Sequence, residues 1–128
     1  MADRTLVPEF LDTDLSIETA SDLSARQYTF VKVDSNEQVV VAGAGDKPLG
    51  ILQNAPDGSS TPDTAIVRPL GLSKLRAGGS ITAQAYLKSD SNGKGVATTS
   101  NGDEYGAHAI TSGDSGDLIG VVVGNGRY

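Results

Sequence analysis

The residues most suggestive of chemistry are Gly113-Asp-Ser-Gly116, a serine set among glycine and aspartate much as the nucleophile of trypsin-like proteases is. That chemistry needs a histidine to take the serine proton and a buried aspartate to orient the histidine. The chain has one histidine, His108, five residues before Gly113, and Asp117 stands where the pattern requires glycine. A chain of 128 residues is also too short for the paired barrels on which that triad sits. The segment therefore reads as a turn between strands, and His108, between Ala107 and Ala109, as an ordinary half-exposed strand residue.

Metal and phosphate motifs fail on similar grounds. Asp90-Ser-Asn-Gly-Lys-Gly95 begins like a calcium loop, but Lys94 occupies the third ligand position and Asn101 replaces the closing glutamate. A cation there would meet an ammonium group. Gly43-Ala-Gly-Asp-Lys-Pro48 lacks the third glycine of a dinucleotide loop, and no phosphate-binding Gly-x-x-x-x-Gly-Lys-Ser/Thr occurs. With no cysteine there is no disulfide framework, thiol nucleophile or Cys-zinc site. The expectation is a protein without catalytic residues, metal or cofactor.

What would position such residues is a set of short strands, and the chain partly repeats itself at an offset of 56. Tyr28-Thr-Phe-Val-Lys-Val-Asp-Ser-Asn36 returns as Gln84-Ala-Tyr-Leu-Lys-Ser-Asp-Ser-Asn92, and Val40, Gly50 and Val67 meet Val96, Gly106 and Val123. Each copy is strand, Asp/Ser/Asn turn and Val-rich strand. Strands are expected over Gln27–Val33, Gln38–Ala42, Leu49–Gln53, Ala65–Leu70, Ile81–Leu87 and Leu118–Val123. Asn92-Gly93, Asn101-Gly102 and Asn125-Gly126 read as turn dipeptides. Pro69 marks a strand end. Sixteen glycines leave few windows for a helix, at most one turn over Ser21–Arg26. The fold class is mainly β: a small single-domain sandwich or barrel of short antiparallel strands over residues 21–128, in which the repeat suggests two related strand-turn-strand halves.

Residues 1–20 read as an extended N-terminal arm. They hold five acids against one base, within a net charge of −6 for the chain. Six large apolar side chains, Leu6, Val7, Phe10, Leu11, Leu15 and Ile17, make the segment too apolar for a solubility tail. Leu6, Val7, Phe10 and Leu11 are expected to bury against a partner, with Asp12 and Asp14 facing basic groups there. The acidic balance, without a Lys/Arg stripe interleaved with aromatics, argues against nucleic acid as a partner. No apolar run is long enough to span a bilayer, and Met1-Ala-Asp-Arg-Thr lacks the order of a signal peptide, so a soluble, unprocessed chain is expected.

An ordered set of segments resembles a known family. Asp22-Leu-Ser, Gln27-Tyr-x-Phe-Val-Lys-Val-Asp34, Ala42-Gly-Ala-Gly-Asp-x-x-x-Gly-Ile-Leu-Gln-Asn-x-Pro56, Val67-Arg-x-x-Gly-x-Ser-Lys74 with Ala77-Gly-Gly79, and Gly116-Asp-Leu-Ile-Gly-Val-Val-Val-Gly124 are similar to the capsid cement, or head-decoration, proteins of tailed bacteriophages. The resemblance spans Ser21 to Tyr128 and leaves out the acidic arm. It implies a β-rich structural virion protein, commonly a homotrimer. Such a protein binds the outside of an expanded capsid where major capsid protein subunits meet, and stabilises the shell.

Two other classes stay open on sequence. A carbohydrate-binding or host-adhesion β module needs exposed aromatics on one face, and Tyr86 and Tyr105 are the residues whose loss would weaken it. A small hydrolase needs two converging carboxylates, which the spacing does not provide.

Overall fold

The computed structural model describes residues 14–59 and 63–128. Its elements are β1 (Leu15–Thr19), β2 (Phe30–Val33), β3 (Val39–Val41), β4 (Gly50–Leu52), β5 (Asp63–Arg68), β6 (Gly71–Arg76), β7 (Tyr86–Ser89), β8 (Gly95–Ala97), β9 (Glu104–Ala109) and β10 (Leu118–Arg127). They form two five-stranded antiparallel sheets, ordered β1-β5-β4-β2-β3 and β6-β10-β9-β7-β8. No helix occurs among the described residues, and Ser21–Arg26 makes only turns.

The second sheet repeats the first strand for strand. At an offset of 56, the five residue pairs between β1 and β5 become pairs between β6 and β10, and the three between β2 and β3 become those between β7 and β8. Backbone detail repeats as well. In each first hairpin the aspartate carboxylate accepts two amides, from Asn36 and Gln38 onto Asp34 and from Asn92 and Lys94 onto Asp90. Both turns carry a left-handed residue at the same place, Glu37 (φ 61°) and Gly93 (φ 76°). The ion pair Lys32–Asp46 at 2.6 Å is matched by Lys88–Asp103 at 3.0 Å, offset by 57 on the aspartate because the second loop is one residue longer. Partly degenerate sequence thus encodes one architecture twice, through apolar alternation plus turn chemistry rather than through identity.

Both sheets curl until their edges meet. In the first, the buried Thr19 hydroxyl at the end of β1 donates to the Val39 carbonyl of β3 at 2.7 Å, enclosing Leu23, Val31, Val39, Leu52, Ala65 and Val67. In the second, Ala77 bridges Gly95, and Leu75, Leu87, Ala107, Ile119 and Val121 pack together. Phe30, Ala42 and Ile51, from the first sheet's opposite face, join that second cluster and weld the halves. Fully burying each of the two larger side chains contributes about 1.5–3 kcal/mol. The joint needs glycine at Gly106, because a Cβ there would lie 2.4 Å from Pro48 Cγ and 2.7 Å from Phe30 Cε1.

Three expectations change. Leu15–Thr19, inside the segment read as an arm, is a sheet strand with Leu15 opposite Val67 and Ile17 opposite Ala65. The expected starts of two strands move from Gln27 to Phe30 and from Ile81 to Tyr86, because Tyr28 (φ 65°) and Gln84 (φ 81°) are left-handed and break the extended run. Asn125-Gly126 is not a turn but lies within β10, where the pairing with β9 shifts register after Val123.

Candidate binding surfaces

Of the residues expected to bind a partner, Leu6, Val7, Phe10, Leu11 and Asp12 lie outside the described residues. Asp14 is placed, and it meets a basic group of its own chain. Arg68 at the end of β5 donates from Nε and Nη2 to the two Asp14 carboxylate oxygens, both at 2.9 Å, and from Nη1 to the Leu72 carbonyl at 2.9 Å. This two-pronged contact raises the Arg68 pKa above its ordinary value. It also fixes where the N-terminal segment leaves the sheet. Beside it, Leu70 in the β5–β6 turn and Leu72 at the start of β6 are 68% and 67% exposed.

The residues that looked catalytic are spent on turns. The Asp117 carboxylate accepts the Asp114 amide at 2.9 Å, Asp114 accepts from the Ser80 hydroxyl at 3.2 Å, and Ser115 is exposed at the tip. Among the described residues His108 forms no hydrogen bond to a serine or aspartate, and no group of three or more His, Asp or Glu side chains could hold a metal. Carboxylates are instead engaged locally. Lys32 chiefly, then the Gly43 amide, holds the Asp46 carboxyl below its usual range; Lys88 chiefly, then the Thr99 amide, does so for Asp103. The Ser24 hydroxyl and amide lower Asp22 in the same way, and those of Ser59 lower Asp57.

The second surface is aromatic and lies on the outer face of the second sheet. The register places Tyr86 of β7 opposite His108 of β9, and His108 opposite Val122 of β10. Ring centroids lie 4.6 Å from Tyr86 to Tyr105, 5.4 Å to His108 and 6.2 Å to Tyr128, all tilted. Tyr105 lies across Gly126, its register partner, where any Cβ would strike the ring. A depression of about 210 Å³ is bounded by Tyr86, Tyr105 and His108 with Val122, Gly124 and Asn125. Asn125 is tied from the far side, its Nδ2 donating to the Pro48 carbonyl at 2.8 Å. Tyr86 and Tyr105 are the pair the carbohydrate reading singles out. His108, Tyr128 and Asn125 join them only through the sheet register and the length of β10, which local sequence did not signal. A second depression, about 330 Å³, lies by Lys32, Val33, Lys47 and Leu49 on the first half.

Comparison with known proteins gives a fold and no family. No family model matches the chain, and no curated protein matches it. Among solved structures, the crystal structure of the head fiber gp8.5 N base in bacteriophage phi29 is similar, with a TM-score of 0.70 over 87% of this chain and 94% of that one. At 16% sequence identity, this likeness establishes a shared fold.

Proposed function

We propose that the protein is a structural component of a tailed-phage head that binds the outer surface of the capsid and stabilises the expanded shell. The observation carrying this reading is that the fold of nearly the whole chain is that of a head fiber base. The resemblance of residues 21–128 to cement proteins, carried by sequence motifs and not by the fold, points the same way. The role is non-enzymatic: the conspicuous carboxylates are engaged in turns and ion pairs, and what the molecule offers is two rigid curled sheets with side chains for contact. The partner is the major capsid protein, with no nucleic acid or membrane involved. A homotrimer would multiply weak contacts, provided its binding segments reach their sites together.

The mechanism is linkage, since a ligand that binds only the assembled shell stabilises it by mass action. The N-terminal segment leaves from β1, whose start is pinned by Asp14 and Arg68. Leu6, Val7, Phe10 and Leu11 would each contribute about 1.5–3 kcal/mol if desolvated on the capsid, less the cost of ordering the segment. Asp12 facing a basic group would tune docking rate and specificity. The test is the melting of purified expanded shells with and without the protein. Saturating protein should raise the shell's melting temperature, whereas no change at any ratio would refute the reading.

A further inference from the structure

The internal repeat allows one face of the molecule to be compared with its own counterpart. Tyr86 occupies the place of Phe30, His108 that of Ile51 and Thr98 that of Ala42, each fixed by the same cross-strand partner or hydrogen bond. In the first half all three residues are completely buried at the joint between halves. In the second half the equivalent face is uncovered among the described residues, and Tyr86 is 42% exposed. The side chains change in step, from Phe, Ile and Ala to Tyr, His and Thr. Each keeps apolar surface and adds hydrogen-bonding atoms, the combination suited to a surface that is wet when free and covered when occupied.

We propose that this face is a carbohydrate-binding platform that takes one neutral pyranose ring, stacked on Tyr86 and Tyr105. A pyranose presents an apolar C–H face for the rings and a rim of hydroxyls for polar atoms around them. The polar atoms are free: among the described residues the hydroxyls of Tyr86, Tyr105 and Tyr128, the His108 ring nitrogens and the Asn125 Oδ1 form no hydrogen bond. The charges nearby are not free, because Arg127 and Glu104 pair with each other at 3.0 Å, which favours a neutral ligand over an ionic one. The size also fits. At about 210 Å³ the depression falls below the roughly 300–1,000 Å³ that encloses a drug-sized molecule, so it suits one ring of a glycan lying across the surface.

A second copy of the chain is the competing occupant, and the joint argues against it. The first half seats its face on Gly93 and Gly106, where a Cβ would lie 2.7 Å from the Phe30 carbonyl oxygen and 2.4 Å from Pro48. By cross-strand pairing, in which Gly50 faces Val31 as Ala107 faces Leu87, the longer second loop shifts the match by one residue from the constant sequence offset, so Leu49 and not Gly50 stands in the place of Gly106, and Glu37 in that of Gly93; the free surface of another copy offers no glycine bed.

The experiment is a carbon-13 tyrosine NMR titration of the full chain with methyl β-glucoside, chitotriose and maltotriose. At least one sugar should shift the Tyr86 and Tyr105 resonances saturably, with a dissociation constant on the order of millimolar, and leave Tyr28 unmoved. Tyr86→Ala should weaken that binding at least about tenfold, and Tyr86→Phe, which keeps the ring, should lose no more than about threefold. An unchanged Tyr28 resonance reports that each variant is folded. No shift at about 50 mM of any of the three sugars would overturn the proposal. So would Tyr86 and Tyr105 shifts that follow protein concentration without sugar, which would assign the face to self-association.

Discussion

Replacing Gly106 with alanine should strike the fold where its two halves meet. The added Cβ would sit 2.4 Å from Pro48 Cγ and 2.7 Å from Phe30 Cε1, and neither group is the mobile end of a long side chain. Phe30 is completely buried and Pro48 is buried against it, so relief requires the halves to separate by a few tenths of an ångström. Gly106 is not in the left-handed region, so the cost is steric and not conformational. Overpacking of this kind destabilises by about 1–3 kcal/mol. For a chain of this size each kcal/mol lowers the melting temperature by roughly 3–5 °C. Gly124→Ala is the internal control, because a Cβ there meets nothing within 4 Å and should change stability by less than about 0.5 kcal/mol. Differential scanning calorimetry on the two variants and the parent provides the assay. A Gly106→Ala protein that melts within about 1 °C of the parent would refute the account of the joint.

Other outcomes follow from the same packing. Thr19→Val keeps the shape but leaves the Val39 carbonyl without its hydroxyl donor at a buried site, which should cost about 1–3 kcal/mol by urea unfolding. Removing Met1–Thr13 should leave the far-UV β signature intact, whereas removing Met1–Ala20 deletes β1 and with it Thr19, and should abolish cooperative unfolding. Asp46 and Asp103 titrate below the ordinary value of 3.8 when folded, so their stabilisation is present above about pH 4 and lost as pH falls through the lowered values. A thermal-melt series should therefore decline only below about pH 4, and Asp46→Asn with Asp103→Asn should flatten that decline.

Much of this architecture was legible because β structure writes itself in turns. Asp34 and Asp90 could be aligned from sequence, and the Asp-Ser-Asn turns they begin fix the register of β2–β3 and β7–β8. The fold class and the relation between halves follow from that alignment. β1 was hidden because Leu15-Ser-Ile-Glu-Thr alternates like a strand inside an acidic segment, and charge composition pointed to an arm where the sheet edge needed a closing strand. Asn125-Gly126 misled for the opposite reason: the dipeptide favours a turn, but pairing with Tyr105 and Glu104 carries β10 past it through a bulge. The aromatic surface was half visible. Tyr86 stands in a strand that the sequence reveals, whereas the strand carrying Tyr105 was not among those expected, and the convergence of both with His108 and Tyr128 depends on cross-strand register, which no local window encodes.

The proposed role on the phage head is tested most directly by cosedimentation with expanded shells assembled from the major capsid protein of the same genome. Full-length protein should pellet with the shells saturably, at a fixed number of copies per capsid subunit, and the Met1–Thr13 deletion should bind at least about tenfold more weakly, a loss of about 1.4 kcal/mol. Folded full-length protein that stays in the supernatant at every concentration while the shells pellet would contradict the account.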